Sequence, residues 1–165
     1  MNDNQIYTEY RDFIYRFLLK YLKNKELAEE ITQETFYQAI KSLHQFDPHK
    51  GTKFSSWLCQ IALNLAKQAL QKNSRQQHLV DKLTTNLEEG SGDIEADYIV
   101  KERLGVLYDA ISMLKYSDKE IVLLRIENEL SFKEIGAVYG KSENWARVTY
   151  YRAKQKLIEV SQDES

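Results

Sequence analysis

The residues with the clearest binding chemistry lie in the stretch SFKEIGAVYGKSENWARVTYYRAKQKL, at positions 131–157. Six lysines and arginines face two glutamates there, although the whole chain has a net charge of −2. Arginine can donate two hydrogen bonds to a guanine, asparagine can read an adenine, and lysine meets phosphates. These residue types therefore point to DNA binding.

A helix-turn-helix is the element that would present these side chains. Ser131 followed by Glu134 is the capping-box signature of a helix start. Gly136 is small where two helices would cross, and Gly140 permits a left-handed turn. Ser142 can then cap a longer last helix. This order of signals predicts a helix-turn-helix whose second helix enters the DNA major groove.

Helical spacing separates the last helix into two faces. One face is apolar and can pack inward; it holds Ala146, Tyr150, Ala153 and Leu157. A neighbouring face carries Arg147, Tyr151 and Lys154, with Ser142, Asn144, Val148 and Arg152 near it. The second face is the predicted DNA-reading surface, and the alternative is a solvated helix in a bundle.

The first half of the chain contains three amphipathic segments. Apolar residues repeat at spacings of three and four within 10–21, 27–40 and 54–69, which is typical of helices that share a core. FDPHKGTKF at 46–54 holds the only proline of the chain and a glycine, so it predicts a loop.

The second half is joined to the first by a polar segment. Residues 73–95 contain Gly90-Ser91-Gly92 and predict a flexible linker. Beyond it, apolar residues from Ile94 to Leu114 suggest one helix, and SDKE at 117–120 has a second capping-box signature.

The predicted fold is therefore all-α, with two small helical domains joined by a flexible linker. We expect the first domain at 1–75, the linker at 76–95 and the helix-turn-helix domain at 96–165.

Charge is unevenly distributed along the chain. From Pro48 to Val80 there is no acidic residue, whereas from Asp81 to Asp97 six acids face the single Lys82. Two basic patches separated by an acidic segment indicate nucleic-acid contact better than the overall charge does.

Several function classes are disfavoured by composition. Cys59 is the only cysteine, which excludes an internal disulfide, and we interpret it as a packing residue. The three histidines are too widely spaced for a familiar metal motif, and no phosphate-binding loop or nucleophile–base pair stands out. We therefore predict no enzyme activity, no metal and no cofactor. No apolar run is long enough to span a membrane and no signal peptide is evident, so we expect a cytoplasmic protein without membrane insertion of its own.

Three stretches together resemble the extracytoplasmic-function (ECF) group of the sigma-70 family of bacterial RNA polymerase sigma factors. They are AEEITQETFYQAI at 28–40, FSSWLCQIALNLAKQAL at 54–70, and the helix-turn-helix at 131–157. Each motif is degenerate alone, but their joint occurrence in this order, around a linker, is specific.

The resemblance implies that the segment 28–40 docks on the polymerase clamp coiled coil. The residues it assigns to core polymerase binding are Glu29, Glu30, Ile31, Gln33, Glu34 and Phe36. Residues 24–35 are acidic, which suits a basic partner and disfavours direct DNA contact.

The resemblance also implies that the segment after the loop faces the minus-ten promoter element. The residues we assign to minus-ten DNA are Lys50, Lys53, Asn64, Lys67 and Lys72. In the family the loop before the tryptophan helix, here 47–53, forms a pocket for a flipped base, and cations follow the single strand. We assign Trp57 to the core.

The last helix is implied to read the minus-thirty-five element. The assigned residues are Ser142, Asn144, Arg147, Val148, Tyr151, Arg152 and Lys154, and the family places its main contacts at Arg147, Val148, Tyr151 and Arg152. The chain departs from the family at Gln68 and Gln71, where Asp and Arg are frequent, and at 144–146, where Gly-Thr-Val is frequent. The promoter sequence is therefore not carried over.

The function implied is a sigma factor that directs core RNA polymerase to promoters. Its expected partners are core polymerase, at the clamp coiled coil and the flap, promoter DNA and an anti-sigma factor. The alternative is a stand-alone helix-turn-helix regulator that binds duplex DNA without polymerase, and an enzyme is a distant third. Copurification with core polymerase separates the first two.

Overall fold

The computed structural model describes the backbone of residues 2–80 and 98–163 and the side chains of 2–72 and 105–162. These residues form seven α-helices and two short 3-10 helices, and no strand occurs among them. The helices are α1 (Asp3–Leu22), α2 (Lys25–Lys41), α3 (Phe54–Val80), α4 (Tyr98–Ser112), α5 (Tyr116–Ile126), α6 (Phe132–Tyr139) and α7 (Glu143–Asp163). The all-α prediction is confirmed. We call 2–80 the N-terminal half and 98–163 the C-terminal half.

Helices α1, α2 and α3 pack around one core in the N-terminal half. Its fully buried side chains include Ile14, Phe17 and Leu18 from α1, together with Leu58 and Ala62 from α3. The predicted three-helix core is therefore present. Burial raises the pKa of the Cys59 thiol well above its usual value, as expected for a packing residue in a fully covered site.

Local signals fix the ends of α1 and α2. The Asn2 side chain accepts a hydrogen bond from the Gln5 backbone N–H, and the Gln5 side-chain oxygen accepts one from the Asn2 backbone N–H. Lys23 adopts a left-handed conformation (φ 54°) and ends α1. Asn24 then caps α2 by accepting from the Leu27 N–H at 3.0 Å.

The helix-turn-helix of the C-terminal half is formed by α6 and α7. Ser131 and Glu134 make the predicted capping box, and the Ser142 hydroxyl accepts from the Trp145 N–H at 3.0 Å. Gly140 ends α6 with φ 67°. A Cβ on Gly136 would lie 2.7 Å from the carbonyl oxygens of both Lys141 and Ser142, so this glycine lets the turn fold back onto α6.

The capping box predicted at 117–120 is wrong. Helix α5 begins two residues earlier, with Lys115 instead of Ser117 as its N-cap and no side-chain cap hydrogen bond. Ser117 therefore lies inside the helix. The Glu120 side chain does not accept the hydrogen bond from the helix start that a capping box requires, because its carboxylate is buried among residues of other helices.

Helix α3 continues to Val80, so its backbone covers the first five residues of the predicted linker, 76–80. Residues 81–97, which hold the rest of that linker and the acidic segment, lie outside the described residues. Helix α4 begins at Tyr98, and the predicted helical position of Ile94 is likewise outside the described part.

The two halves are in direct contact. Helix α1 packs on α4 and α5, and α3 packs on α6. The contact of α3 with α6 explains why α3 buries residues outside the apolar stripe predicted within 54–69. Ser56 and Leu63, which lie off that stripe, are also buried.

Candidate nucleic-acid and polymerase interfaces

The inner and outer faces of α7 match the spacing argument. Ala146, Ala153 and Leu157 are buried, whereas Val148 and Tyr151 are 41% and 52% exposed. The polar residues predicted to contact DNA from this helix and its cap are also exposed; they are Ser142, Asn144, Arg147, Arg152 and Lys154. An exposed apolar and aromatic surface among cations is suited to bases as well as to phosphates.

Arg147 is the most constrained cation of this face. Its guanidinium is 3.0 Å from the Glu143 carboxylate, one turn earlier, and lies 5.3 Å from the centroid of the Phe132 ring on α6. Lys154 lies near the Tyr151 ring, at 5.7 Å from its centroid. Lys156 points away to Asp118 of α5, with 3.2 Å between Nζ and Oδ2. Arg147 is therefore oriented by neighbours on two helices.

A surface pocket of about 450 Å³ lies between α1 and the loop before α3. Its walls include the rings of Tyr10, Phe46 and Phe54, whose centroids are 5.2 Å (Tyr10–Phe54) and 5.3 Å (Phe46–Phe54) apart. Pro48, Gly51, Thr52, Lys53 and Ser55 complete the lining. Aromatic walls with a cation at the rim are the chemistry that holds an unstacked base. The ring of Trp57 packs behind this wall, 5.3 Å from Phe46.

The five residues predicted to meet minus-ten DNA are all exposed: Lys50, Lys53, Asn64, Lys67 and Lys72. Lys53 lines the pocket, Lys50 lies in the same loop, and the others follow on α3. Two of these lysines have partners in the C-terminal half. Lys53 Nζ is 3.1 Å from Glu134 Oε2, and Lys67 Nζ is 3.2 Å from Glu120 Oε1.

The residues predicted to bind core polymerase divide into two groups on α2. Glu29, Glu30 and Gln33 are exposed, and Glu34 is half-buried and accepts a hydrogen bond from Gln38. Ile31 and Phe36 are 7% and 3% exposed, so they belong to the core that positions the acidic face.

Comparisons with known proteins decide the family. The model of Sigma-70 region 2 matches residues 6–76, and that of Sigma-70, region 4 matches residues 104–157. The chain is 32% identical over 158 residues to the ECF RNA polymerase sigma factor SigM of Bacillus subtilis (strain 168), covering 95% of this chain and 93% of that protein. It is 32% identical over 144 residues to the RNA polymerase sigma factor CarQ of Myxococcus xanthus, covering 87% and 80%.

The chain belongs to the ECF group of the sigma-70 family. Solved structures agree on the fold. The sigma factor RpoE, in complex with the anti-sigma factor NepR from Bartonella quintana, superposes with a TM-score of 0.75 at 18% identity over 96% of each chain. CnrH, in complex with the cytosolic domain of CnrY, superposes with a TM-score of 0.70 at 18% identity over 99% of this chain and 89% of that one.

Sequence reasoning missed a buried polar cluster of this sigma factor. Glu120 is 3% exposed and Lys119 is 4% exposed. Tyr21 of α1 and Tyr139 of α6 both donate to the Glu120 carboxylate, each at 2.9 Å. Burial, and then the Glu120 charge, raise the pKa of both phenols far above the usual value, so both stay protonated donors. The one sequence feature that hinted at this cluster was the charged pair Lys119-Glu120, directly before the apolar run at 121–124.

Two more carboxylates connect the halves of the sigma factor. Burial alone would raise the pKa of Glu134, but hydrogen bonds from Ser131 and Lys53 outweigh it and lower the pKa. Glu127 accepts from Lys20 Nζ at 2.7 Å and from the Tyr108 hydroxyl at 2.6 Å, and these bonds lower its pKa against the effect of burial. Both carboxylates are therefore held charged by partners.

The described part of the sigma factor contains no group of three or more histidine, cysteine, aspartate or glutamate side chains arranged to hold a metal ion. A search of the same residues finds no helix with the length and apolar character that a membrane crossing requires.

Proposed function

We propose that this chain binds core RNA polymerase and directs it to promoters, with the N-terminal half on the minus-ten element and the C-terminal half on the minus-thirty-five element. The observation that carries the proposal is the pairing of an aromatic pocket beside a basic helix in one half with an exposed recognition helix in the other. Membership of the sigma-70 family identifies core RNA polymerase as the partner. Sigma factors are not enzymes. Acting with polymerase, the chain works in the cytoplasm.

The minus-ten element is bound as a melted strand. A base leaves the stack and enters the pocket formed by Tyr10, Phe46 and Phe54, where ring stacking replaces the lost base stacking. The backbone of that strand is contacted by Lys53 at the rim, by Lys50 in the same loop, and by Asn64, Lys67 and Lys72 on α3. The absence of acids from 48–80 supports this assignment, because a negative side chain there would repel the phosphates.

The minus-thirty-five element is read as duplex DNA by α7. Arg147, Val148, Tyr151 and Arg152 lie on its outward face and contact base edges. Ser142 and Asn144 approach the DNA at the helix start, and Lys154 contacts a phosphate.

Core polymerase is contacted by the acidic face of α2. Glu29, Glu30, Gln33 and Glu34 present it, while Ile31 and Phe36 hold the helix on the core. The partner is the basic clamp coiled coil, because an acidic face gains most from a cationic surface. The C-terminal half contacts the flap.

An anti-sigma factor is the proposed regulator. The sigma factor RpoE, which has the same fold, was solved in complex with the anti-sigma factor NepR, and CnrH, also of this fold, with the cytosolic domain of CnrY. A partner of this kind would cover the surfaces that polymerase needs.

Run-off transcription with purified core polymerase tests the proposal. Core enzyme with this chain is expected to initiate at a defined set of start sites on a genomic library, and core enzyme alone is not. A base-analogue fluorophore in the minus-ten strand should brighten as the promoter opens. If the chain instead binds duplex DNA specifically but neither copurifies with polymerase nor supports initiation, the stand-alone regulator is the correct function.

A further inference from the structure

The contact between the two halves contains charged and polar groups beside its apolar side chains. Glu120 accepts hydrogen bonds from Tyr21 across the contact and from Tyr139 within its own half, and Lys67 of α3 completes the set as an ion pair at 3.2 Å. A carboxylate that is 3% exposed would be strongly unfavourable without such partners. The cluster therefore depends on the halves being together.

A second set of contacts lies nearer the aromatic pocket. Glu134 of α6 pairs with Lys53 at 3.1 Å, and the Ser56 hydroxyl donates to the Glu134 carbonyl oxygen at 3.2 Å. The same glutamate holds the capping box of α6 through its other oxygen. One residue thus connects the start of the helix-turn-helix to the start of α3.

The lysines in these contacts are the ones proposed to meet minus-ten DNA. Among the described residues, Lys53 and Lys67 each pair with a carboxylate of the C-terminal half, whereas Lys50 and Lys72 form no ion pair. A carboxylate and a phosphate oxygen are alternative acceptors for one ammonium group. Glu120 and Glu134 therefore occupy cations that a DNA backbone would use.

The composition of the contact favours reversible separation. Lys119 is buried and donates to the Tyr21 carbonyl oxygen, and the buried side-chain oxygen of Asn128 has no hydrogen-bond partner among the described residues. Water would satisfy these groups if the halves parted, which offsets part of the cost of opening. Contacts between domains that bury such polar groups commonly allow the domains to move.

We propose that the chain free of polymerase is held in a closed form, in which Glu120 and Glu134 take the place of DNA phosphates on Lys67 and Lys53. The C-terminal half and minus-ten DNA then compete for one face of α3, so the sigma factor restrains its own DNA binding until the halves separate. Closure itself stands on the observed contacts, and the competition with DNA rests on the proposed function of the two lysines.

Energy transfer within the full-length chain tests closure. Thr8 and Gln155 are exposed on α1 and α7 and can be replaced by cysteine and labelled, whereas Cys59 is fully buried and stays unlabelled. The variant is Glu120→Gln with Glu134→Gln, which keeps side-chain size and leaves glutamine, also accepted in a capping box, at 134. The control is Asp109→Asn with Glu159→Gln, two exposed acids of the same half with the same charge change.

The glutamine variant is expected to show at least a several-fold larger low-transfer population than the control, and the control should match the unmodified chain. Glu134→Gln alone, at a partly buried site where glutamine also completes a capping box, should show part of the change. Identical energy-transfer distributions in the unmodified chain, the control, the double glutamine variant and the Glu134→Gln variant would overturn the closed form.

Binding of a fluorescent oligothymidylate, followed by anisotropy, tests the competition. The glutamine variant should bind this single strand several-fold more tightly than the control, and the oligonucleotide should lower transfer in the unmodified chain. If the variant opens but binds no better than the control, closure stands, and the competition fails together with the assignment of Lys53 and Lys67 to DNA.

Discussion

At the scale of single residues, Arg147 is prepared for a base contact by its neighbours. Glu143 and the Phe132 ring hold its guanidinium, and an exposed pair one turn apart on a helix contributes little, so it can exchange for a base. We expect Arg147→Ala to cost about 1–3 kcal/mol and to relax preference at one base pair. Binding of the holoenzyme to single-base promoter variants measures this.

Lys154→Ala is the matched comparison, because this lysine is exposed on the same helix and forms no ion pair among the described residues. It should weaken binding to every variant equally and reduce the salt dependence, as loss of a phosphate contact does. An Arg147→Ala protein with the same uniform loss would make Arg147 a phosphate contact.

Gly136 lies where an added side chain would have no room. A Cβ at this position would lie 2.7 Å from two backbone carbonyl oxygens, and backbone cannot move aside as a flexible side chain does. We expect Gly136→Ala to lower the free energy of unfolding by about 1–3 kcal/mol, the usual cost of overpacking. Gly105→Ala, in α4 where an added Cβ meets no neighbour of the described residues within 4 Å, should instead be neutral or stabilising by up to roughly 1 kcal/mol. Urea unfolding compares the two, and equal effects would contradict the close approach.

At the scale of elements, the two serine–glutamate signatures have different outcomes. Ser131 caps α6, whereas Ser117 lies inside α5. Ser131→Ala should therefore cost about 1 kcal/mol of stability. Ser117→Ala should cost nothing measurable, since alanine is the better helix former. Thermal unfolding of both variants checks this, and a loss at Ser117 would show that it does act as a cap.

The two serine–glutamate signatures also show which features of the fold can be predicted from local sequence patterns. The helices, the loop before α3, the cap of α6 and the outward face of α7 follow from spacing and capping residues, which act within a few positions. The start of α5 does not, because Glu120 is drawn into contacts with Tyr21 and Lys67, far from it in sequence. A capping box and a buried tertiary carboxylate have the same local sequence.

Helix α2 carries a prediction about its acidic face. Glu29→Lys with Glu30→Lys reverses two exposed charges and should weaken core polymerase binding at physiological salt with little effect on folding. Glu9→Lys with Glu159→Lys makes the same change in net charge on exposed positions of α1 and α7. Binding to labelled core enzyme measures both. Equal affinity for the two double variants would mean that net charge, not this face, governs docking.

At the scale of the whole molecule, the contact between the halves could not be predicted from the sequence. Its hydrogen bonds join residues 78 positions apart, as for Ser56 and Glu134, or 115 apart, as for Phe13 and Asn128. Neither periodicity nor capping reports on such pairs. The aromatic pocket shows the opposite case, because the loop at 47–53 was expected to form it and does line it, with Tyr10 added from α1.

Lys119 makes the stability of the closed molecule depend on pH. Its ammonium faces the Tyr21 ring and carbonyl and the Tyr116 ring, with Lys23 the nearby charge. Burial, and then Lys23, lower its pKa to about 8, against about 10.4 in an unfolded chain. Between these values the unfolded chain binds more protons than the folded one, so this group makes stability rise with pH.

The measurement is urea unfolding of the wild type and of Lys119→Met from pH 7 to about 9, roughly one unit below the pKa of an unfolded tyrosine. The free energy of unfolding of the wild type should increase relative to that of the methionine variant across this window, because only the wild type sheds the buried proton. Taking the difference cancels the other titrating groups. Lys133→Met, at an exposed position of α6, serves as the control and should track the wild type at every pH. A wild-type-minus-Lys119→Met difference that stays flat would mean that Lys119 remains charged in the fold and that the contact between the halves is more hydrated than its burial indicates.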